Sequence, residues 1–166
     1  MPAMGDIYLL LGTNLGDREN NLQIAKEQLT AHQLTIKKES SIYETAAWGI
    51  EDQPSFLNQV VIVDSDKNPE RILIIINIIE GLMGRVRNEK WAQRLIDIDI
   101  LYYRDMVVDK PRLKIPHPEI QNRRFTLAPL VELAPNFKHP ISGKTQLEML
   151  KDCPDNLRAE VFQAEV

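Results

Sequence analysis

Apolar residues change their spacing several times along this chain, and each change marks an element. Ile7 to Leu11 is an unbroken apolar run, the pattern of a strand buried on both faces, and it stops at Gly12. Gly12-Thr13-Asn14-Leu15-Gly16 reads as a turn. Asp17 is suited to cap a helix that runs to about Ala31, with Leu22, Ala25 and Leu29 on one stripe. Leu34 to about Thr45 mixes β-branched and polar residues and reads as one strand, Gly49 to Pro54 as loop, and Phe56 to Val63 as a second buried strand. The next segment is in conflict. Isoleucines at 72, 74, 75, 76, 78 and 79 favour strand, whereas Asn68 as cap, Pro69 at the first helical position and Gly84 as stop favour helix. The run is too long for an ordinary strand, so a helix is expected from about Pro69 to Met83. Arg85 to Gln93 is a polar loop. Ile96, Ile98 and Ile100 then alternate with Asp97 and Asp99 in a strand that ends near Tyr103.

The expected order, β-α-β-β-α-β, is that of a ferredoxin-like α+β sandwich whose helices cover one sheet face and leave the other free for a site. A C-terminal extension of short strands and helices follows. It begins with a turn at Arg104-Asp105, and its helices lie near Leu130 and Leu147. Residues 1–166 are read as a single domain, with no internal repeat or low-complexity tract.

Composition narrows the class. The net charge is −4, which gives no reason to expect a general nucleic-acid or membrane binder. The charge is uneven, however: Arg85 to Arg124 holds ten Lys/Arg against six Asp/Glu. A basic stretch around two aspartates suits a polyanion carried with its metal. The single cysteine, Cys153, excludes an intramolecular disulfide and fits a reducing, cytoplasmic setting. Met1 to Asp6 shows no signal-peptide pattern, and the apolar run Ile72 to Ile79 is far short of the ~20 residues that span a bilayer.

The aspartate strand carries the most chemistry. Asp97 and Asp99 leave the same face, about 7 Å apart at their Cα atoms. Aspartate is a poor strand former and like charges on one face repel, so a bound cation would compensate; a plain solvent-facing edge fits the same residues. Two carboxylates without clustered His or Cys suit Mg²⁺, singly or as a pair, completed by water and phosphate oxygens. Arg85, Arg87, Lys90 and Arg94 lead into this strand and could meet phosphates bidentately, or form a solvated loop; Trp91 among them needs a surface to stack on. His117 sits between two prolines, better placed for a phosphate hydrogen bond than for metal ligation. Trp48, Phe56, Asn58 and Phe125 form either an aromatic clamp with an amide for a flat heterocycle or, for the two phenylalanines, ordinary core. Gly143-Lys144-Thr145 lacks the earlier glycine of a phosphate-binding loop and reads as a turn.

Lys90-Trp91-Ala92-Gln93-Arg94-Leu95-Ile96-Asp97-Ile98-Asp99-Ile100-Leu101 resembles the signature of the 6-hydroxymethyl-7,8-dihydropterin pyrophosphokinase family. Gly12 to Asp17, Asp52 to Asn58, and Pro116-His117 with Asn122 to Phe125 resemble further stretches of it, in order and at compatible spacing. The resemblance implies transfer of pyrophosphate from ATP to the hydroxymethyl dihydropterin with release of AMP, in folate biosynthesis. It implies two Mg²⁺ ions on Asp97 and Asp99, and a catalytic loop and exit at Arg85, Arg87, Lys90, Trp91 and Arg94. It also implies ATP-site positions at Glu80, Arg112, His117 and Arg123, and a pterin pocket of Thr45, Trp48, Phe56, Asn58 and Phe125. The family default is a monomer without nucleic-acid or membrane partners. Gln93, Ala46, Asn77, Lys114 and Pro118 depart from the family pattern. The competing expectation is a ferredoxin-like RNA-binding module, which needs solvent-facing aromatics on the central strands; the last strand of this unit carries two aspartates, which would repel a phosphate backbone without metal.

Overall fold

A computed structural model describes residues 5–46, 54–84 and 95–163. The chain runs β1 (Ile7–Thr13), α1 (Arg18–Ala31), β2 (Thr35–Glu39), β3 (Tyr43–Thr45), β4 (Phe56–Asp64), α2 (Pro69–Leu82) and β5 (Asp97–Tyr103). There follow β6 (Val108–Lys110), β7 (Leu113–Ile115), a 3-10 turn (Ile120–Asn122), α3 (Arg124–Leu133), α4 (Gln146–Asp152) and β8 (Ala159–Val161). The main sheet has the order β5-β1-β4-β3-β8, with β2 also paired to β4, and among the described residues its strand pairings are antiparallel; β6 and β7 form a separate hairpin.

Every residue of β1 is buried because apolar layers cover both faces of the sheet. Leu9, Leu11, Val61 and Val63 pack with Leu22, Leu29, Ile72 and Ile76 from α1 and α2. Tyr8, Leu10, Val60 and Ile62 pack instead with Leu127 and Leu130 of α3 and Met149 of α4. The expected free sheet face is therefore corrected: α3 and α4 of the C-terminal extension pack on it, and a cleft lies at one end.

The ambiguous isoleucine run is helical. The Asn68 side chain accepts the Arg71 N–H at 2.9 Å, and Ile72, Ile75, Ile76 and Ile79 are buried at helical spacing. The expected strand Leu34–Thr45 is two strands. Between them Ser40 takes both roles opposite Val60: its N–H donates to Val60 O at 2.9 Å and its Oγ accepts Val60 N–H at 3.0 Å. Gln59 Nε2 donates to Ser40 O at 2.7 Å, so side chains replace the ladder where the chain shifts along β4. Asp17 caps α1 as expected, accepting from Asn20 N at 3.1 Å. Among the described residues no helix is long and apolar enough to cross a membrane.

Candidate active site

Strand β5 carries its alternation into three dimensions. Ile98 and Ile100 enter the core beneath α1 and α2, while Asp97 and Asp99 are half-buried on the opposite face. The strand is fixed from behind. Glu80, buried on α2, accepts the Ile98 N–H at 3.0 Å, between the two aspartates. Just before the strand, Thr13 Oγ1 donates to Leu95 O at 2.6 Å and accepts from Asn21 Nδ2 at 3.2 Å. On the neighbouring strand, Gly12 pairs with Asp97 and Leu10 with Asp99.

Both aspartates line a cleft of about 640 Å³ at the uncovered end of the sheet, within the size range of small-molecule sites. Strands supply its floor: Leu10 and Gly12 from β1, Thr45 from β3, and Phe56 and Asn58 from β4. The far wall comes from the C-terminal extension, with Glu119, Asn122, Arg123 and Phe125, then Pro154 and Asp155. Asn58 is buried, and a Cβ at position 12 would stand 2.9 Å from its Oδ1, so the glycine makes room for the amide. Thr45 Oγ1 is buried and has no hydrogen-bond partner among the described residues, a polar group available to a ligand. The Arg123 guanidinium lies 5.7 Å from the Phe125 ring centroid. Two half-buried aromatic rings, an amide and a hydroxyl around one space suit a flat, polar-edged heterocycle.

Charge sets what else the cleft accepts. Asp97, Asp99, Glu119 and Asp155 face a single guanidinium, Arg123, among its described residues. These described residues alone would repel a polyphosphate, and cations brought with it would offset that. No cluster of three His, Cys, Asp or Glu is present among the described residues. The donor set is thus two carboxylate side chains on one strand face, which fits a hard ion such as Mg²⁺ that keeps water and phosphate oxygens.

His117 stands beside this cleft, after the cis Ile115–Pro116 bond. Its N–H donates to Leu101 O at 2.9 Å and its Nδ1 accepts the Glu119 N–H at 3.1 Å. That hydrogen bond leaves the neutral ring's proton on Nε2. Burial pushes the imidazole pKa down, with the Asp99 carboxylate opposing, Arg123 reinforcing and Glu119 opposing. Near neutral pH the ring is a neutral donor. His117 lines an adjoining cleft of about 560 Å³ that shares Asn122 and Pro154 with the first.

The structure thus brings Thr45, Phe56, Asn58, Asp97, Asp99, Arg123 and Phe125 to one space, with His117 next to it. The two phenylalanines, which the sequence favours as core, instead lie half-buried at the cleft. Glu80 lies behind β5 and does not line the cleft, and Arg112 is exposed at the β6–β7 turn, outside both clefts. Arg85, Arg87, Lys90, Trp91, Arg94 and Trp48 lie outside the described residues. Gly12, Glu119, Asn122 and Asp155 were not among the expected site residues. Gly12 carries a usable signal, a glycine ending an apolar strand run; Asp155 carries none.

A family model described as 7,8-dihydro-6-hydroxymethylpterin-pyrophosphokinase (HPPK) matches residues 8–135. The chain belongs to this family. It is 43% identical over 141 residues to the 2-amino-4-hydroxy-6-hydroxymethyldihydropteridine pyrophosphokinase of Aquifex aeolicus, covering 85% of this chain and 88% of that one. The Bacillus subtilis protein of the same name is 40% identical over 143 residues, covering 85% and 86%. The fold resembles a Plasmodium falciparum HPPK-DHPS crystal structure with pteroate at a TM-score of 0.71 and 20% identity, spanning 89% of this chain and 42% of that one. The HPPK-family chain is thus a mixed α/β protein with an antiparallel sheet and helices on both faces.

Proposed function

We propose that this chain transfers the pyrophosphoryl group of ATP to the hydroxymethyl group of 6-hydroxymethyl-7,8-dihydropterin, releasing AMP, as a step of folate biosynthesis. The family membership supports the reaction, and one observation supports its location: Asp97 and Asp99 share a cleft with Phe56, Asn58 and Phe125. The pterin ring lies between Phe56 and Phe125, with Asn58 and Thr45 Oγ1 meeting its polar edge. The pterin hydroxyl oxygen attacks the β-phosphorus in line and gives up its proton to a carboxylate of the cleft or to water, while the bond from that phosphorus to the bridging oxygen breaks and AMP leaves with that oxygen. His117 Nε2–H and Arg123 donate to phosphate oxygens. The basic segment with Arg85, Arg87, Lys90 and Arg94, and Trp91 within it, supplies further contacts to the nucleotide; Trp48 joins the pterin side.

Asp97 and Asp99 would hold Mg²⁺, two ions in this reading, whose charge neutralises the polyphosphate and polarises its phosphorus. Glu80 contributes from behind, holding Ile98 so that both carboxylates face the cleft. Arg112 is assigned to the nucleotide by resemblance alone. The order β5-β1-β4-β2, with α1 and α2 on one face, supports a ferredoxin-like core carrying a C-terminal extension, here taken as one domain. RNA binding is not supported, since the side chains of the central strands that would have to present stacking rings, Tyr8, Leu10, Val60 and Ile62, are buried against α3 and α4.

Incubation with ATP, Mg²⁺ and the hydroxymethyl dihydropterin tests the reading by its nucleotide product. AMP, formed only when both Mg²⁺ and pterin are present, supports it. ADP would reveal an ordinary kinase and overturn it.

A further inference from the structure

Arg18 opens α1, where a cation meets the positive end of the helix dipole, so its placement needs compensation. The compensation lies across the sheet. Arg18 Nη1 donates to Glu44 Oε2, to Ser55 O and to Ser55 Oγ, each at 2.9 Å, and Ser55 Oγ donates to the same Glu44 oxygen at 2.8 Å. The Ser55 hydroxyl and then the Arg18 guanidinium hold the Glu44 carboxyl below its usual range, against its partial burial. The guanidinium lies 5.7 Å from the Phe162 ring centroid. Phe162 is held by its own N–H, which donates to Ile42 O at 2.7 Å, directly after β8 pairs with β3.

The position of this tie gives it meaning. Glu44 precedes Thr45, Ser55 precedes Phe56, and Thr45 and Phe56 are paired across β3 and β4. Both line the cleft, while Arg18, Glu44, Ser55 and Phe162 do not. Thr45 and Phe56 are the end pair of the β3–β4 ladder, so the tie braces that ladder at its cleft end. We propose that Arg18 is a positioning residue for the pterin: bound to Glu44 and Ser55 and backed by Phe162, it sets the placement of Thr45 and Phe56 across the heterocycle. The proposal rests on the pterin reading of the cleft. The backing strand, β8, and Phe162 lie outside residues 8–135, the part matched by the family model.

The test is a split between substrates in the full-length chain. Arg18→Ala is expected to raise KM for the hydroxymethyl dihydropterin about tenfold, equivalent to about 1.4 kcal/mol of binding. KM for ATP should stay within about twofold and kcat within about threefold. Arg18→Lys, which keeps the charge but loses the fork, should recover part of the loss. Ser55→Ala should raise the same KM alone yet add little on top of Arg18→Ala, because both break one network. Equilibrium binding of 6-hydroxymethylpterin should weaken in parallel, a readout independent of turnover. Unchanged pterin KM in Arg18→Ala, or equal rises for both substrates, would overturn the proposal. If Arg18→Ala fails to fold, Ser55→Ala and Phe162→Ala decide by the same split. A wild-type chain that makes no AMP refutes the functional reading instead; an active wild type with an indifferent Arg18→Ala refutes only this one.

Discussion

Asp99 and Asn58 show how much of the site rests on single side chains. Asp99→Asn removes one of two charges on the same face of β5, and its fold should survive because the group is half-buried at a cleft rather than in the core. Turnover should fall on the order of 10³-fold, as when one preorganised electrostatic group is lost; steady-state rates beside a melting curve check both halves. Gly12→Ala acts differently. Its Cβ would meet Asn58 Oδ1 at 2.9 Å, so the amide must move out of the pterin side of the cleft. Pterin KM should rise more than ATP KM, with a stability cost of about 1–3 kcal/mol from overpacking, measured by denaturant titration. The aspartate pair was legible in the sequence because strand period alone fixes which side chains share a face. The approach of Gly12 to Asn58 was not, since it depends on the register of two strands far apart in sequence.

Among elements, β5 depends on α2. Glu80→Ala would leave the Ile98 N–H without its carboxylate partner at a buried position, a loss of about 1–3 kcal/mol. Glu80→Gln, which keeps an acceptor of similar shape, should retain most of that stability; unequal melting temperatures for the two variants are the check. Helix α4 offers a contrast remote from the cleft. Its capping box joins Thr145 and Glu148, with Glu148 N donating to Thr145 Oγ1 at 3.1 Å and Thr145 N to Glu148 Oε1 at 3.1 Å. Thr145→Ala should cost about 1 kcal/mol and leave both KM values unchanged. Helix α2 was readable against its β-branched composition because cap, proline and stop residues are local signals. The break between β2 and β3 was not, because Ser40 draws its partners from β4. Nor was β8, three residues whose pairing with β3 is purely long-range.

At the scale of the whole molecule, the C-terminal extension makes the site a cleft rather than an open sheet face. The expectation of a free face failed because Tyr8, Leu10, Val60 and Ile62 point to that side and need cover, which α3 and α4 provide. That layer also carries a pH dependence. His139 is buried, its Nδ1 accepts N–H groups from Ile141 and Ser142 at 3.2 and 3.3 Å, and burial lowers its pKa below 6.5. In the unfolded chain the ring returns to about 6.5, so below that pH the unfolded state binds the extra proton. Its contribution is therefore present at neutral pH and declines as pH falls through the window below 6.5. His139→Gln should flatten the acid side of a stability-against-pH curve; an unchanged slope would contradict the assignment. The most direct measurement of the central claim follows the β-phosphorus. With ATP labelled there by ³²P, Mg²⁺ and the hydroxymethyl dihydropterin, the account expects all transferred label on the pterin, matched mole for mole by AMP. Label retained in ADP, or transfer undiminished in Asp97→Ala, would contradict it.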